Sequence, residues 1–418
     1  MNRISTLALA AILALATVEA LGQSSGRVRV DPKYEAKDPF ALRAGGGAER
    51  TVAPKPRVDF KTSAPESSGK PIDAILLRGE TEPLACEILS ISGKDGATAK
   101  VAGKTRAYRL ADVKRVELST PSEINLGIEA FESGKKSGAE SEFARALALF
   151  QQGRDKASRR IEKELSTVRI VDALVALGRD DEAVSEFFLL CRLDPYSPYL
   201  SSIPLRWVEQ APTRNTTGSG SGLDEREGEK WLGDVANPTG RLLAASVFLR
   251  SSTLGIRAVS ALRDLATLEA PEGASEETTE SCRVLSLLAS AQLWRNDIFR
   301  APTEQESKRR TRTIELLPPG TRSGPLALLA EGERKAGDTE KAGLDFLRVA
   351  LENPDRFSLA AFASNRAAEV YEQLGDKETA NKIREDSARR RGARAPVALG
   401  EAPIFNNKND SESGDKVK

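Results

Sequence analysis

The sequence predicts a mainly α-helical protein in which a small all-β domain precedes an array of helical hairpins. One apolar frame occurs twice with the same offsets: Ala183, Phe187, Leu190 and Pro195, then Ala342, Phe346, Val349 and Pro354. In a helix of about 3.6 residues per turn the first three members share a face, and the proline ends the helix about one turn later. Aromatic residues make up 5% of the chain, so alanine and leucine fill most apolar positions. Such a composition favours packed helices.

The β domain is predicted over residues 72–120, where the apolar pattern changes from helical to strand-like. Five short β-prone runs occupy residues 72–77, 85–92, 97–101, 105–110 and 113–118, and glycine-containing turns separate the first four of them. They could form either a five-stranded barrel or an open meander. The first and last runs, DAILLRGE and LADVKRVEL, resemble the small SH3-like or Sm-like barrels found in some exported bacterial proteins.

The composition excludes several classes of function. Lys plus Arg (62) balance Asp plus Glu (61), so no overall charge attracts nucleic acid, and we expect no nucleic-acid partner. The chain contains no histidine, which removes the usual general base and the commonest metal ligand. Cys86, Cys191 and Cys282 lie far apart without a CxxC pair and are expected to be buried; a Cys191–Cys282 disulfide remains open. We therefore expect no metal and no cofactor.

The N-terminus predicts export. Arg3 precedes an apolar run over residues 4–18, and small residues follow, so residues 1–22 are interpreted as a signal peptide. The run is shorter than the ~20 residues that cross a bilayer. We expect a mature chain without a membrane span, in the periplasm or outside the cell; an uncleaved anchor is the alternative. Residues 23–71 and 392–418 are predicted to be a disordered leader and tail.

Residues 121–391 show helical periodicity with a loop insertion predicted at about 195–240. The first hairpin contains Leu126-Gly127, Ala139, Phe143 and Ala146 at the spacing of the two frames. This pattern resembles the tetratricopeptide repeat (TPR) family, whose hairpins stack into an α-solenoid. The resemblance implies that the small residue lies where two helices cross closely and that the phenylalanine fills the space between hairpins. A final unit ending near Arg384 resembles a terminal cap.

The resemblance also implies a concave groove lined by the first helices of successive hairpins, which accepts an extended peptide or a partner helix. Carried over by position, the groove residues of the two C-terminal units are Glu331, Arg334, Lys335, Asn365, Glu369 and Glu372. The lysine and asparagine set that captures a carboxylate in some family members is not reproduced. The alternative interpretation of these six residues is an ordinary solvated helix face.

These observations predict a non-catalytic exported scaffold that binds a peptide or protein partner of the cell envelope. One alternative is an envelope hydrolase with paired carboxylates, for which Asp180, Asp181 and Glu182 are the candidates. Adjacent acids in a turn point in different directions and are typical of a helix N-terminus. The other alternative is a structural repeat protein whose β domain is the binding module.

Overall fold

The computed structural model describes residues 73–119, 121–208, 223–297 and 300–391. Within these ranges the protein is mainly helical, with 13 α-helices after an N-terminal antiparallel sheet of five strands. The predicted signal peptide, leader and tail lie outside the described residues, as does the segment 209–222 of the predicted loop. The coarse fold class is therefore confirmed.

The sheet consists of five strands in the order β4-β3-β2-β1-β5. They are β1 (Asp73–Leu77), β2 (Leu84–Ser92), β3 (Gly96–Val101), β4 (Lys104–Tyr108) and β5 (Val113–Glu117). Each lies within two residues of its predicted run. Among the described residues β4 and β5 are the two edges and do not pair with each other, so the sheet is a half-barrel that hydrogen bonds do not close.

One face of the sheet carries a small apolar core. Alternate residues of the central strands point inward, with Ile88 opposite Ala99 in the β2–β3 register. Ile75 of β1 joins them, and two helical residues, Ile124 and Ile161, complete the same cluster. The sheet thus shares its core with the helices that follow it.

Asp73, at the start of β1, fastens the sheet to the helical region. Its buried carboxylate accepts hydrogen bonds from the main-chain N–H groups of Ile88 and Ser119, both at 3.0 Å. It also accepts hydrogen bonds from both terminal nitrogens of the Arg159 guanidinium, at 2.5 and 2.9 Å. Burial alone would raise the pKa of Asp73, but the hydrogen bonds from Arg159, Ser119 and Ile88 lower it below its ordinary value. A charged carboxylate therefore joins β1 and β2 to Arg159, the residue that precedes α3.

The helical region consists of hairpins whose members pack against each other in sequence. The helices are α1 (Ser122–Ser137), α2 (Glu140–Lys156), α3 (Arg160–Ala176), α4 (Asp180–Leu193), α5 (Glu225–Gly233), α6 (Pro238–Phe248), α7 (Gly255–Ala266), α8 (Glu276–Leu293), α9 (Glu304–Leu316), α10 (Ser323–Ala336), α11 (Thr339–Glu352), α12 (Phe357–Gln373) and α13 (Lys377–Arg391). The three apolar members of each predicted frame are buried: Ala183, Phe187 and Leu190 in α4, and Ala342, Phe346 and Val349 in α11.

The first hairpin places its small residues differently from the prediction. Ala139 precedes α2 and is only half-buried, so it does not lie at the helix crossing. Glycines of α1 take that place: a Cβ at Gly127 would lie 2.6 Å from the ring of Phe150, and one at Gly134 would lie 2.9 Å from the ring of Phe143. Because the glycines lack a side chain, the two phenylalanines of α2 can pack directly on the α1 backbone.

The predicted loop at 195–240 is wrong over part of its length, because helix α5 lies within it. The side chain of Asp224 accepts a 2.7 Å hydrogen bond from the N–H of Glu227 and so caps the helix. Trp231 and Leu232 are buried on one face, and the Trp231 ring lies 4.6 Å from that of Phe188. The apolar face of these nine residues outweighs the loop-like composition of the residues before them.

Residues 200–208 run through the interior between helices that are distant in sequence. Leu200, Ile203, Leu205 and Trp207 are all buried in the main core. The Trp207 ring packs directly on the backbone of α10 at Gly324. This segment therefore forms part of the core of the helical region.

The first two hairpins of the array also contact the last one. Helix α3 packs on α12, and the ammonium of Lys135 in α1 lies 3.6 Å from the carboxylate of Asp355, just before α12. Gly138 lies against the main chain of Arg390 in α13. The end of the array thus contacts its beginning, and residues 200–208 lie in the core of this region.

The contact between Gly324 and Trp207 gives a test of this arrangement. In Gly324→Ala the new Cβ would overlap atoms of the buried ring, so we expect the free energy of unfolding to fall by about 1–3 kcal/mol. The control is Gly233→Ala at the end of α5, where a Cβ meets no atom within 4 Å and the change should stay within about 0.5 kcal/mol. Urea unfolding measures both. Equal stabilities of the two variants would contradict the placement of Trp207.

Candidate functional site

The six predicted groove residues lie on the C-terminal halves of α10 and α12. Glu331 is buried, with 4% of its surface exposed. Arg334, Lys335 and Asn365 are half-buried, and the two remaining acids, Glu369 and Glu372, are exposed. The set thus ranges from the interior to the surface across two neighbouring helices.

Arg366 connects most of this set, although the sequence pattern did not indicate it. Its guanidinium donates to Glu369 at 2.6 Å and lies 3.6 Å from the carboxylate of Glu331. Glu331 also accepts from Arg334 at 2.6 and 3.2 Å. The Arg366 guanidinium lies over the ring of Phe362, 5.6 Å from its centroid. A charge network therefore crosses from α10 to α12.

Glu372 has its ion-pair partner outside this network. Its carboxylate accepts from Arg384 of α13 at 2.5 Å, which connects it to the last helix. The resemblance to a terminal cap placed Arg384 where a large apolar residue is expected, and the ion pair gives that arginine a partner at the surface.

The three consecutive acids at the start of α4 have three different partners. Asp180 accepts from the hydroxyl of Ser358 at 2.8 Å, Asp181 pairs with Arg206, and Glu182 accepts from Arg179. Burial raises the pKa of Asp180. Because the acids diverge, they do not form a facing pair across a cleft, which carboxylate hydrolysis needs.

A cavity of about 530 Å³ lies between α9 and the α10–α11 turn. Most of its lining residues have polar or charged side chains, but the surface that they expose to the cavity is mainly apolar. The walls are formed by Pro302, Glu304, Ser307, Lys308, Thr311, Arg312, Glu315, Glu333, Ala336, Asp338 and Lys341. Small-molecule sites in proteins commonly have volumes of ~300–1,000 Å³ and lie between helices in helical folds.

Glu333 is the buried carboxylate of this cavity, with 3% of its surface exposed. The Lys341 ammonium lies 2.5 Å from its Oε1, and the carboxyl of Asp345 is close enough to share a proton. Neither contact has the alignment of a full hydrogen bond. Burial, helped by the charge of Asp345, raises the pKa of Glu333 to about 7 against the lowering effect of Lys341.

The Glu333–Asp345 pair does not have the geometry of a glycoside hydrolase. In such enzymes the two carboxyl groups stand ~5–9.5 Å apart with the sugar between them. Here they contact each other directly. The pair instead holds a proton near neutral pH, and its protonation decides how strongly Lys341 is held.

A local signal for Glu333 was present in the sequence but was not used. α10 ends at Ala336, so Glu333 lies in its last turn, where the helix dipole disfavours an acid. An acid in such a place indicates a specific partner, here Lys341 eight residues later. The predicted set took the other face of the same helix.

The remaining candidate groups are packing residues or are dispersed. All three cysteines are buried and free, so the open question of a Cys191–Cys282 disulfide is answered in the negative. Across the described ranges no cluster of three or more acidic or cysteine side chains is arranged to hold a metal ion. The same ranges contain no helix that is both long and apolar enough to cross a membrane.

Comparisons with known proteins gave no match: no family model fits the sequence, and neither a curated protein nor a solved structure is significantly similar to it. Functional inference therefore rests on the residues and their geometry.

The raised pKa of Glu333 predicts a pH-dependent contribution to stability. A carboxyl whose folded-state pKa exceeds its value of 4.5 in the unfolded chain stabilises the fold at low pH, and this contribution is lost as the pH rises to about 7. We expect Glu333→Gln to gain stability relative to the wild type over that window, by at most about 3 kcal/mol. Urea unfolding at a series of pH values measures the difference.

The control is Glu304→Gln, an exposed carboxylate on the same cavity whose pKa is lowered by Lys308. It should show no such gain with rising pH. Parallel stability curves for Glu333→Gln and the wild type would show that the Glu333 carboxyl is not perturbed.

Proposed function

We propose that the protein is a non-catalytic exported scaffold that binds a peptide or a partner protein of the cell envelope through a TPR-like array of hairpins. The buried alanine and phenylalanine frames in α4 and α11 support this architecture, since they serve helix packing and leave their outer positions for contacts. The leader, export and cellular location remain part of this proposal.

The interior of the array is an unsuitable place for a partner. Residues 200–208 already occupy it, and Arg356 at the start of α12 donates hydrogen bonds to the carbonyl groups of Ser201 and Ile203. A partner peptide there would have to displace the buried Ile203, Leu205 and Trp207, each of which contributes ~1.5–3 kcal/mol of apolar burial. The binding surface is therefore assigned to the C-terminal halves of α10 and α12.

The observation that carries this assignment is the charge network centred on Arg366. It presents a buried carboxylate (Glu331), a stacked guanidinium and an exposed carboxylate (Glu369) in a row across two helices. Because Arg366 is held by Glu331 and Phe362, its orientation is fixed before a partner arrives. Prearranged charges of both signs suit an extended peptide with polar or basic side chains.

Reversal of the exposed charges tests the surface without emptying the core. We expect the double variant Glu369→Lys and Glu372→Lys to lower partner recovery from envelope extract by about tenfold or more, because like charges then face the basic groups of the partner. The matched control reverses two exposed acids of α13, Glu378→Lys and Glu385→Lys. Recovery is quantified from pull-downs with the full chain.

Both double variants should unfold at the wild-type temperature, which separates binding from folding. Equal recovery by the two double variants would remove α10 and α12 as the binding surface. Loss of recovery with Arg106→Glu on the exposed edge strand β4 instead would favour the sheet as the binding module.

A further inference from the structure

Strand β4 is exposed on both faces, and one of its two edges is unpaired. Within the described ranges it pairs only with β3, and its residues 104–107 are all exposed. The opposite edge strand, β5, is less open, because Val113, Val116 and Glu117 are half-buried. An exposed edge strand offers its free main-chain groups to another extended chain.

The turn between β3 and β4 determines which main-chain groups of β4 are free. Ala102 and Gly103 both have a positive φ, 49° and 81°, as in a two-residue hairpin turn. The residues that flank such a turn are hydrogen bonded to each other, and bonded pairs then alternate along the antiparallel ladder. The N–H and C=O groups of Thr105 and Ala107 therefore point away from β3.

The side chains of β4 place positive charge on the core face of this edge. Lys104 lies opposite Val101 in the β3–β4 register, and Arg106 lies opposite Ala99. Both β3 residues are buried in the core of the sheet. Because directly opposite residues of an antiparallel pair project on the same face, the core face ends at this edge in two exposed cations.

Neither cation is neutralised by a neighbour. Lys104 and Arg106 have no ion-pair partner among the residues that the structure describes. Lys100 differs, since it lies opposite Glu87 in the β2–β3 register. Residues 96–111 contain no aspartate or glutamate. This edge is therefore positive, although the charges of the whole chain nearly balance.

Contacts with the helical region hold the sheet beside this edge in place. Gly93, in the turn between β2 and β3, donates its N–H to Asp194 at 2.8 Å and accepts from the hydroxyl of Thr278 at 3.4 Å. Arg109, which follows β4, lies 2.6 Å from the carboxylate of Glu276 in the first turn of α8. The edge is thus formed before a partner arrives, which lowers the ordering cost of binding.

Other parts of this chain do not complement the edge. Pairing of β4 with the same strand of a second copy would place like charges opposite each other, and β5 itself has two cations and one acid. Residues 23–71 contain more lysine and arginine than aspartate and glutamate. In residues 392–418 the acids Asp410 and Glu412 stand among asparagine, serine and glycine, which are depleted in strands. The complement is therefore an acidic strand of another protein.

The main chain of the edge favours a peptide over a nucleic acid. Free N–H and C=O groups at the spacing of a strand match those of an extended peptide. A single-stranded nucleic acid needs aromatic rings on which its bases can stack. Residues 96–111 contain one aromatic side chain, Tyr108, which is half-buried with a buried hydroxyl.

We propose that β4 binds an acidic extended peptide, which adds to the sheet with two acidic side chains opposite Lys104 and Arg106. In an antiparallel arrangement the residue between the two acids lies opposite Thr105 and exchanges both main-chain hydrogen bonds with it. Main-chain bonds then supply affinity, and the charge pairs supply specificity. This edge is separate from the partner surface on α10 and α12, and binding to it requires nothing of that surface.

Fluorescence anisotropy with the full chain and labelled, capped peptides tests the ligand. A peptide in which glutamate alternates with valine should bind, whereas the same peptide with lysine in place of glutamate should not. N-methylation of the valines should abolish binding, because it removes the N–H groups that face Thr105. N-methylation of the glutamates should preserve binding, because their N–H groups point away from β4.

Removal of charge tests the protein side. The double variant Lys104→Gln and Arg106→Gln should weaken binding of the glutamate peptide by about tenfold, because two cross-strand charge pairs are lost. The matched control, Lys94→Gln and Lys100→Gln, removes two charges from exposed positions of the same sheet that do not belong to β4. It should keep the wild-type affinity. Both double variants should unfold at the wild-type temperature, since all four side chains are exposed.

Several outcomes would overturn the proposal. Equal loss in the two double variants would show general charge attraction, and equal binding of the two N-methylated peptides would exclude strand addition. Tighter binding of single-stranded oligothymidylate through the same two cations would assign the edge to nucleic acid. Peptide binding that appears only after deletion of residues 392–418 would assign it to the tail, and no binding of any peptide would show no site.

The outcome for this edge is independent of the surface on α10 and α12. The double variant Glu369→Lys and Glu372→Lys should bind the glutamate peptide as the wild type does. Loss of peptide binding in that variant would show that the peptide occupies α10 and α12 and would overturn the assignment to β4.

Discussion

The helical region depends on one constraint: the buried main chain of residues 201–206 must find hydrogen-bond partners inside the protein. Residues 201–206 lie among helices, so their N–H and C=O groups need partners inside the protein. The N–H of Arg206 donates to Ser246 of α6 at 2.8 Å, and its carbonyl accepts from Gln292 of α8 at 3.0 Å. Arg356 before α12 serves the carbonyl groups upstream. One short segment thus holds three distant helices, whereas in a simple repeat array each hairpin contacts only its neighbours.

This constraint determines which surfaces remain for function. Near the start of α10 and α12, Gly324 packs on the Trp207 ring and Arg356 binds the carbonyl groups of Ser201 and Ile203, so residues 200–208 cover that part of both helices. In the C-terminal halves of the same helices, polar side chains pair with one another and reach the surface. The cavity beside α9 exists for a different reason, since a polar helix leaves a gap that apolar helices would close.

The local elements were predictable because their signals are local. β-prone runs between turn residues indicated all five strands, and the buried frames of α4 and α11 follow from spacing alone. What the sequence could not show depends on partners distant in the chain. Gly127 and Gly134 replace Ala139 at a crossing because of the phenylalanines opposite them. Arg366 joins the charge network through its contact with Glu331 on another helix. The path of residues 200–208 depends on hydrogen bonds to Ser246 and Gln292, which are distant in the chain. Helix α5 was missed because the composition before it is that of a loop.

Helix α10 shows how one element supports two chemistries. Glu331 and Glu333 are two residues apart, so their side chains leave the helix on different faces. Glu331 meets two guanidinium groups, Arg334 at 2.6 Å and Arg366 at 3.6 Å, and Arg366 also donates to Glu369. Glu333 meets one flexible ammonium and a second carboxyl, which leaves a proton in place near neutrality. The first arrangement keeps its charges fixed by ion pairs, and the second leaves a carboxyl whose charge can change near neutral pH.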